Sequence, residues 1–270
     1  MSAATAPLVH RVEAYNTAPE SENRIHADDV ARRFGFRGGL VPGVDVWAYL
    51  AHLPAERWGR EWLERGTMRA ELRRPVYHGD TVEVTGRPDA GDAMSIELRD
   101  GDGTLCALGA AGFACEVSDA RDPASVPRAP LPAERPAASP DSLAAGTLLG
   151  TFEIGFRADK AGAYLRDVRE SLPVFEDGAV AHPAWLLRTA NWVLAENVRL
   201  GPWIHVASDV RHLGLGRDGD RLSTRARVLD EYERKGHRFV VLDVLVVADD
   251  VRPLMRVMHT AIYRPRQASA

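Results

Sequence analysis

Two long apolar stretches stand out from an otherwise alternating chain. Residues 44–53 (VDVWAYLAHL) are interrupted only by Asp45 and His52. Residues 183–198 contain Trp185, Leu186, Leu187, Ala190, Trp192, Val193, Leu194 and Ala195, enough to cover most of a helix circumference. A helix that apolar leaves water a narrow face and needs protein on the others. Elsewhere the period is two. Val82/Val84 and Leu222/Thr224/Ala226 alternate as half-buried strands do. The pattern also predicts two hairpins, 95–99 with 105–117 across Asp100-Gly101-Asp102-Gly103, and 237–247 with 253–263 across Asp249-Asp250. A short helix is expected over 28–34.

The order of these elements repeats. A Gly-rich turn at 38–43 opens the first apolar stretch and 177–183 opens the second, while Gly79-Asp80 recurs as Gly219-Asp220 at an offset of 140 residues. Between the copies the chain turns rich in Pro, Ala and charge (Pro123, Pro127, Pro130, Pro132, Pro136, Pro140) and loses its apolar period, as a surface linker does. The expected organisation is 1–118, a linker at 119–147, and 148–270. Each half reads as a strand, a helix and a run of strands. One long apolar helix needs a wrapping sheet, so the fold class is α+β: a double hot-dog, two curved antiparallel sheets each around a central helix.

Composition narrows the function. With 45% hydrophobic residues the chain can build a core without metals or disulfides, and a net charge of −4 argues against nucleic acid as a partner. Cys106 and Cys115 sit in apolar surroundings and read as buried thiols, which suggests a cytoplasmic setting. Residues 1–7 lack the features of a signal peptide, and no stretch suits a membrane span. There is no P-loop, dinucleotide fingerprint or Gly-x-Ser-x-Gly elbow. The spacing of His205, His212, His237 and His259 suggests no zinc site, so neither metal nor cofactor is expected.

One segment carries a resemblance. Asn23-Arg24-Ile25-His26-Ala27-Asp28, then Ala31, Gly35-Phe36 and Gly39-Leu40-Val41-Pro42-Gly43, resembles the hydratase-2 segment of the MaoC-like dehydratases. That family's pattern is Asp-x-Asn-Pro-x-His-x-Asp, an Ala, Gly-Phe, and a Gly-closed turn into the central helix. The resemblance implies a hydro-lyase that interconverts 2-enoyl and 3-hydroxyacyl thioesters of coenzyme A or acyl carrier protein, working as a monomer or a homodimer of tandems. Here Arg24 replaces the family's Pro and Ser21 stands where its leading Asp is expected; the second half lacks the motif. Either Glu22 or Asp45 supplies the carboxylate, or the chemistry differs from hydration.

The resemblance makes His26, Glu22 and Asp45 the catalytic candidates. Asn23, Gly43 and Val44 are substrate-binding candidates, Gly43 as an oxyanion donor at the helix start. Arg32, Arg33 and Arg37, with Arg69, Arg73 and Arg74 in the following strand, are candidates for coenzyme phosphates, Arg32 and Arg37 foremost. Each has an ordinary alternative. Asn23 suits a turn, Asp45 suits the first turn of any helix, and Arg32 and Arg37 suit a solvated face. His182, before Pro183, is either a second site or a satisfied buried histidine. A non-catalytic acyl-CoA or lipid-binding module and a hot-dog thioesterase are the competing functions.

Overall fold

A computed structural model of the chain describes residues 6–89, 91–114 and 122–266. The first half runs β1 (Leu8–Glu13), α1 (Asp28–Arg33), α2 (Gly43–Arg65), β2 (Gly66–Leu72), β3 (Thr81–Pro88), β4 (Ala93–Asp100) and β5 (Leu105–Phe113). The second runs β6 (Leu148–Gly155), α3 (Ala158–Asp167), α4 (Pro183–Asn197), β7 (Ile204–His212), β8 (Arg221–Arg234), β9 (His237–Ala248) and β10 (Arg252–Arg264). Among the described residues ten strands form one antiparallel sheet in the order β1-β3-β4-β5-β2-β7-β10-β9-β8-β6. Each half therefore contributes five strands in the same internal order, and β2 meets β7 at the seam.

The seam explains the sequence offset. Arg69 of β2 faces Asp209 of β7, its counterpart 140 residues later, so an approximate two-fold axis passes between them. The same offset relates the bridges Leu40↔Tyr77 and Val180↔Arg217. It also relates two identical turns. Gly79 (φ 81°) and Gly219 (φ 84°) occupy the left-handed region, where a Cβ is disfavoured. The following aspartate then accepts from an amide three residues back: Tyr77 N to Asp80 at 3.1 Å, Arg217 N to Asp220 at 2.6 Å. The repeated Gly-Asp pair is thus a turn device.

Helix α2 lies against β1–β5 and β7, α4 lies against β6, β8, β9 and β10, and the two helices touch. Trp47, Leu50 and Leu53 of α2 and Leu187, Ala190, Val193 and Leu194 of α4 are fully buried. Burial of each larger apolar side chain is worth about 1.5–3 kcal/mol, which holds both helices inside the sheet. The double hot-dog follows from that demand.

Several elements depart from the sequence pattern. Helix α2 continues to Arg65, past Pro54 and a break at Gly59 (φ 55°), two residues that look like stops. Helix α3, with Ala161 and Tyr164 inward, has too little apolar surface to announce itself. The linker is fastened as well as exposed. Val126 is fully buried with Leu213, Leu245 and Val247, Ala137 bridges to Arg199, and Arg135 pairs with Glu22. Cys106 is buried; Cys115 lies outside the described residues. No described helix is long and apolar enough to cross a membrane.

Candidate functional site

Asn23 organises the motif loop. Its Oδ1 accepts from Ile25 N at 3.4 Å, capping the 3-10 turn Arg24–His26. The same amide crosses to the other half, accepting from Trp203 N (3.1 Å) and donating to Trp203 O (3.0 Å). Its second hydrogen points at His26 Nε2, 3.2 Å away. His26 Nδ1 lies 2.7 Å from Leu40 O, so this network places the proton on Nδ1 and the lone pair on Nε2. Desolvation lowers the His26 pKa below the ordinary 6.5, with the Leu40 carbonyl and the charge of Asp45 acting the other way. The result is a neutral imidazole, able to act as a base near neutral pH.

The end of the motif is structural. Asp28 accepts from Gly39 N at 2.8 Å and pairs with Arg32. A Cβ on Gly39 would lie 2.1 Å from His26 O, so only glycine lets the turn close over the histidine. Ser21 donates to Asn23 O at 3.2 Å, a loop contact with no charge to offer.

At the start of α2, Asp45 N and Val46 N both donate to Pro42 O, which leaves the amides of Gly43 and Val44 ahead of the helical ladder. They carry the positive end of the helix dipole. Asp45 itself is fully buried. It accepts from Thr17 Oγ1 at 2.6 Å and pairs with Arg188, whose guanidinium lies 4.8 Å from the centre of the Tyr164 ring. Burial works against the Arg188 charge, and Asp45, Tyr164 and Asp167 together more than offset it.

Two cavities meet at this point. One, of about 700 Å³, reaches the motif loop from the β2 and β10 side and includes Gly43 and His205 in its wall. The other, of about 680 Å³, is bounded by the loop at 15–22 and by α4, and includes Val44 and Arg188. Asn23, His26, Pro42, Asn191 and Trp203 line both. Asn191 Oδ1 is buried and has no hydrogen-bond partner. A buried amide oxygen left unpaired in a cavity wall awaits a donor.

The candidates therefore separate. His26, Asn23, Gly43 and Val44 come together at the cavities. Asp45 lies behind the wall, tied to Thr17 and Arg188. Glu22 lines the second cavity but is mostly exposed, and its carboxylate is held by Arg135. Arg32 and Arg37 line neither cavity; Arg32 pairs with Asp28, and Arg37 pairs with Asp80 while lying over Tyr77. Among the described residues no group of three His, Cys, Asp or Glu is placed to hold a metal. His205 instead contacts Ser208 (2.8 Å) and stacks on His259 (4.4 Å between ring centres). Its burial pushes its pKa to about 4.

Arg188 and Asn191 line the candidate site and are passed over by the sequence reading. Their signal is two polar side chains three positions apart in the middle of a largely apolar helix, which share a face. Trp203 gives no signal beyond an aromatic core position.

No protein-family profile matches the chain, and no curated protein sequence matches it significantly. Its fold has solved relatives. A protein named as a MaoC domain dehydratase, from Chloroflexus aurantiacus J-10-fl, superimposes with TM-score 0.62 at 9% identity, covering 97% of this chain and 95% of the other. Rv0216 of Mycobacterium tuberculosis, which has a double hot-dog fold, gives 0.62 at 14% identity over 96% of each chain. A protein named as an oleoyl thioesterase, from Lactobacillus plantarum, gives 0.52 at 15% identity, covering 98% of this chain and 99% of the other. By its fold the chain is a double hot-dog protein, with the architecture of MaoC-like dehydratases.

Proposed function

We propose that the chain hydrates 2-enoyl thioesters, or in reverse dehydrates 3-hydroxyacyl thioesters, with His26 as its acid and base. The observation that carries this reading is a neutral imidazole, lone pair on Nε2, on the wall shared by two cavities beside the open end of α2. In this reading residues 1–118 bear the site, 119–147 fasten the halves, and 148–270 shape the space around the acyl group. The setting is cytoplasmic acyl-thioester metabolism.

The chemistry needs a single base. A water displaces the Asn23 N–H from the Nε2 lone pair and gives a proton to His26 Nε2 as its oxygen bonds to C3, and the C2=C3 electrons move into the thioester carbonyl as an enolate. The Gly43 and Val44 amides hold that oxygen, as fixed dipoles do where charge develops. The enolate collapses and C2 takes the proton from the imidazolium. Water has then added across the double bond and His26 is neutral again. Asn191 Oδ1 accepts the second hydrogen of the water and aims it. The charge of Asp45 favours the transient imidazolium, and its partner Arg188 opposes it by a smaller amount. Under this scheme Ser21 need not be a carboxylate.

A second reading, a thioester-binding module without turnover, is favoured by one observation: no carboxylate among the described residues is hydrogen-bonded to His26. Purified protein with trans-2-enoyl-CoAs of increasing length separates the two by loss of conjugated absorbance. We expect turnover that falls about 10²–10⁴-fold in His26→Ala, the usual range for a general acid–base group. Acyl-CoA binding without turnover would establish the module, and free thiol release would establish a thioesterase.

A further inference from the structure

The two cavities differ in charge. The wall of the first carries Arg73, Arg74 and Arg266 and no carboxylate. Arg73 makes only a 3.4 Å contact with exposed Glu71, and neither Arg74 nor Arg266 has an acidic partner among the described residues. The wall of the second carries Glu20, Glu22, Asp167 and Glu196. Its two arginines are already committed, Arg135 to Glu22 and Arg188 to Asp45. A polyanion is attracted to the first entrance and repelled from the second. Of the arginines named from sequence for this role, Arg32 and Arg37 are paired with Asp28 and Asp80 and face neither cavity, whereas Arg73 and Arg74 line the first; Arg266 carries no such sequence signal.

We propose that Arg73, Arg74 and Arg266 hold the phosphate groups of a phosphopantetheine-borne thioester, so that the carrier enters through the first cavity and the acyl group passes His26 into the second. Guanidinium forks match phosphate oxygens in geometry and charge. The thioester carbonyl then arrives at Gly43, which lines the first cavity. C2 and C3 lie beside His26 in the shared wall. The acyl chain meets Val44, Trp192, Val198 and Leu200 of the second cavity. This assignment rests on the acyl-thioester reading above, but on binding alone and not on turnover.

The test is calorimetric titration of the full chain with coenzyme A, with 3′,5′-ADP and with phosphate-free pantetheine. Arg73→Ala/Arg74→Ala/Arg266→Ala is expected to raise the Kd for coenzyme A at least tenfold and flatten its salt dependence, leaving pantetheine unchanged. The corresponding triple lysine variant restores much of the affinity. An equal loss for 3′,5′-ADP assigns the nucleotide phosphates of coenzyme A. A loss seen only with a phosphopantetheinylated carrier protein assigns the carrier-protein phosphate, and both support the site. Coenzyme A and carrier affinity unchanged in the triple variant, or lost instead in Arg32→Ala/Arg37→Ala, would overturn it. Binding that behaves as stated while crotonyl-CoA goes unhydrated would sink the hydratase reading and leave this assignment standing.

Discussion

The two halves share a topology, yet their central helices begin in opposite ways. Helix α2 starts at Pro42-Gly43 and α4 at the corresponding His182-Pro183. At α2 no side chain caps the first turn, and Gly43 and Val44 open onto cavities. At α4 the cap is built in: His182 Nδ1 accepts from Ala184 N at 3.1 Å, and its Nε2 lies 3.6 Å from buried Glu170. Tyr164 and Phe175 pack against the His182 ring, and His182 lines neither cavity. Of the two sequence readings for His182, this geometry matches the satisfied buried histidine. The comparison teaches that a duplicated helix end is available for a ligand only where the protein has not already satisfied it.

The largest way to break this contrast is to unbalance the charges behind the open helix end. Asp45→Ala leaves the part-buried Arg188 without its partner, which is expected to cost about 3 kcal/mol in urea unfolding, the lower end for a buried pair. A cost within 1 kcal/mol would mean that the pair does not anchor the α2 start.

Acid probes the buried imidazoles of the second half. His205 and His212 are pushed down to about 4 and about 3 by burial, from an ordinary 6.5. Their folded-state affinity for protons is depressed, so stability is intact above pH 6.5 and is lost as pH falls toward 4 for His205 and toward 3 for His212. At pH 5 each costs about 2 kcal/mol relative to pH 7. Unfolding curves at the two pH values should differ accordingly, and His212→Gln should shrink the difference. A pH-independent midpoint would contradict the assigned burial.

The smallest effect sharpens the contrast directly. A Cβ at Gly43 would sit 2.6 Å from Leu72 Cδ1 and 2.8 Å from His205 Nδ1. Gly43→Ala should therefore cost about 1–3 kcal/mol through overpacking. Pro183→Ala at the equivalent position should cost about 1 kcal/mol or less, since only a favoured first-turn residue is lost. Equal costs would show that the two helix ends are packed alike.

What could be read in the sequence follows from the range of each interaction. The helices at 44–53 and 183–198 announce themselves because burial on nearly all sides demands a predominantly apolar run. The Gly-Asp repeat is legible because its turn is local. His26, Asn23 and Gly43 lie within one short segment whose spacing fixes their relation. Arg188, Asn191 and Trp203 reach the same cavities from the far half, and no local pattern encodes that meeting. Glu22 shows the converse: it neighbours Asn23 in sequence, but Arg135 of the linker holds its carboxylate. The extension of α2 was hidden by Pro54 and Gly59, whose local preference is overridden by packing of Trp62 and Leu63 into the core.

The central claim is that the open end of α2, with His26, is the reaction centre and that the capped end of α4 is not. Crotonyl-CoA hydration by wild type, His26→Ala and His182→Asn tests it most directly, because asparagine can keep the α4 cap. The account predicts hydration by the wild type, a loss of about 10²–10⁴-fold in His26→Ala, and near-wild-type turnover in His182→Asn. Turnover that survives His26→Ala, or that depends on His182, would contradict it.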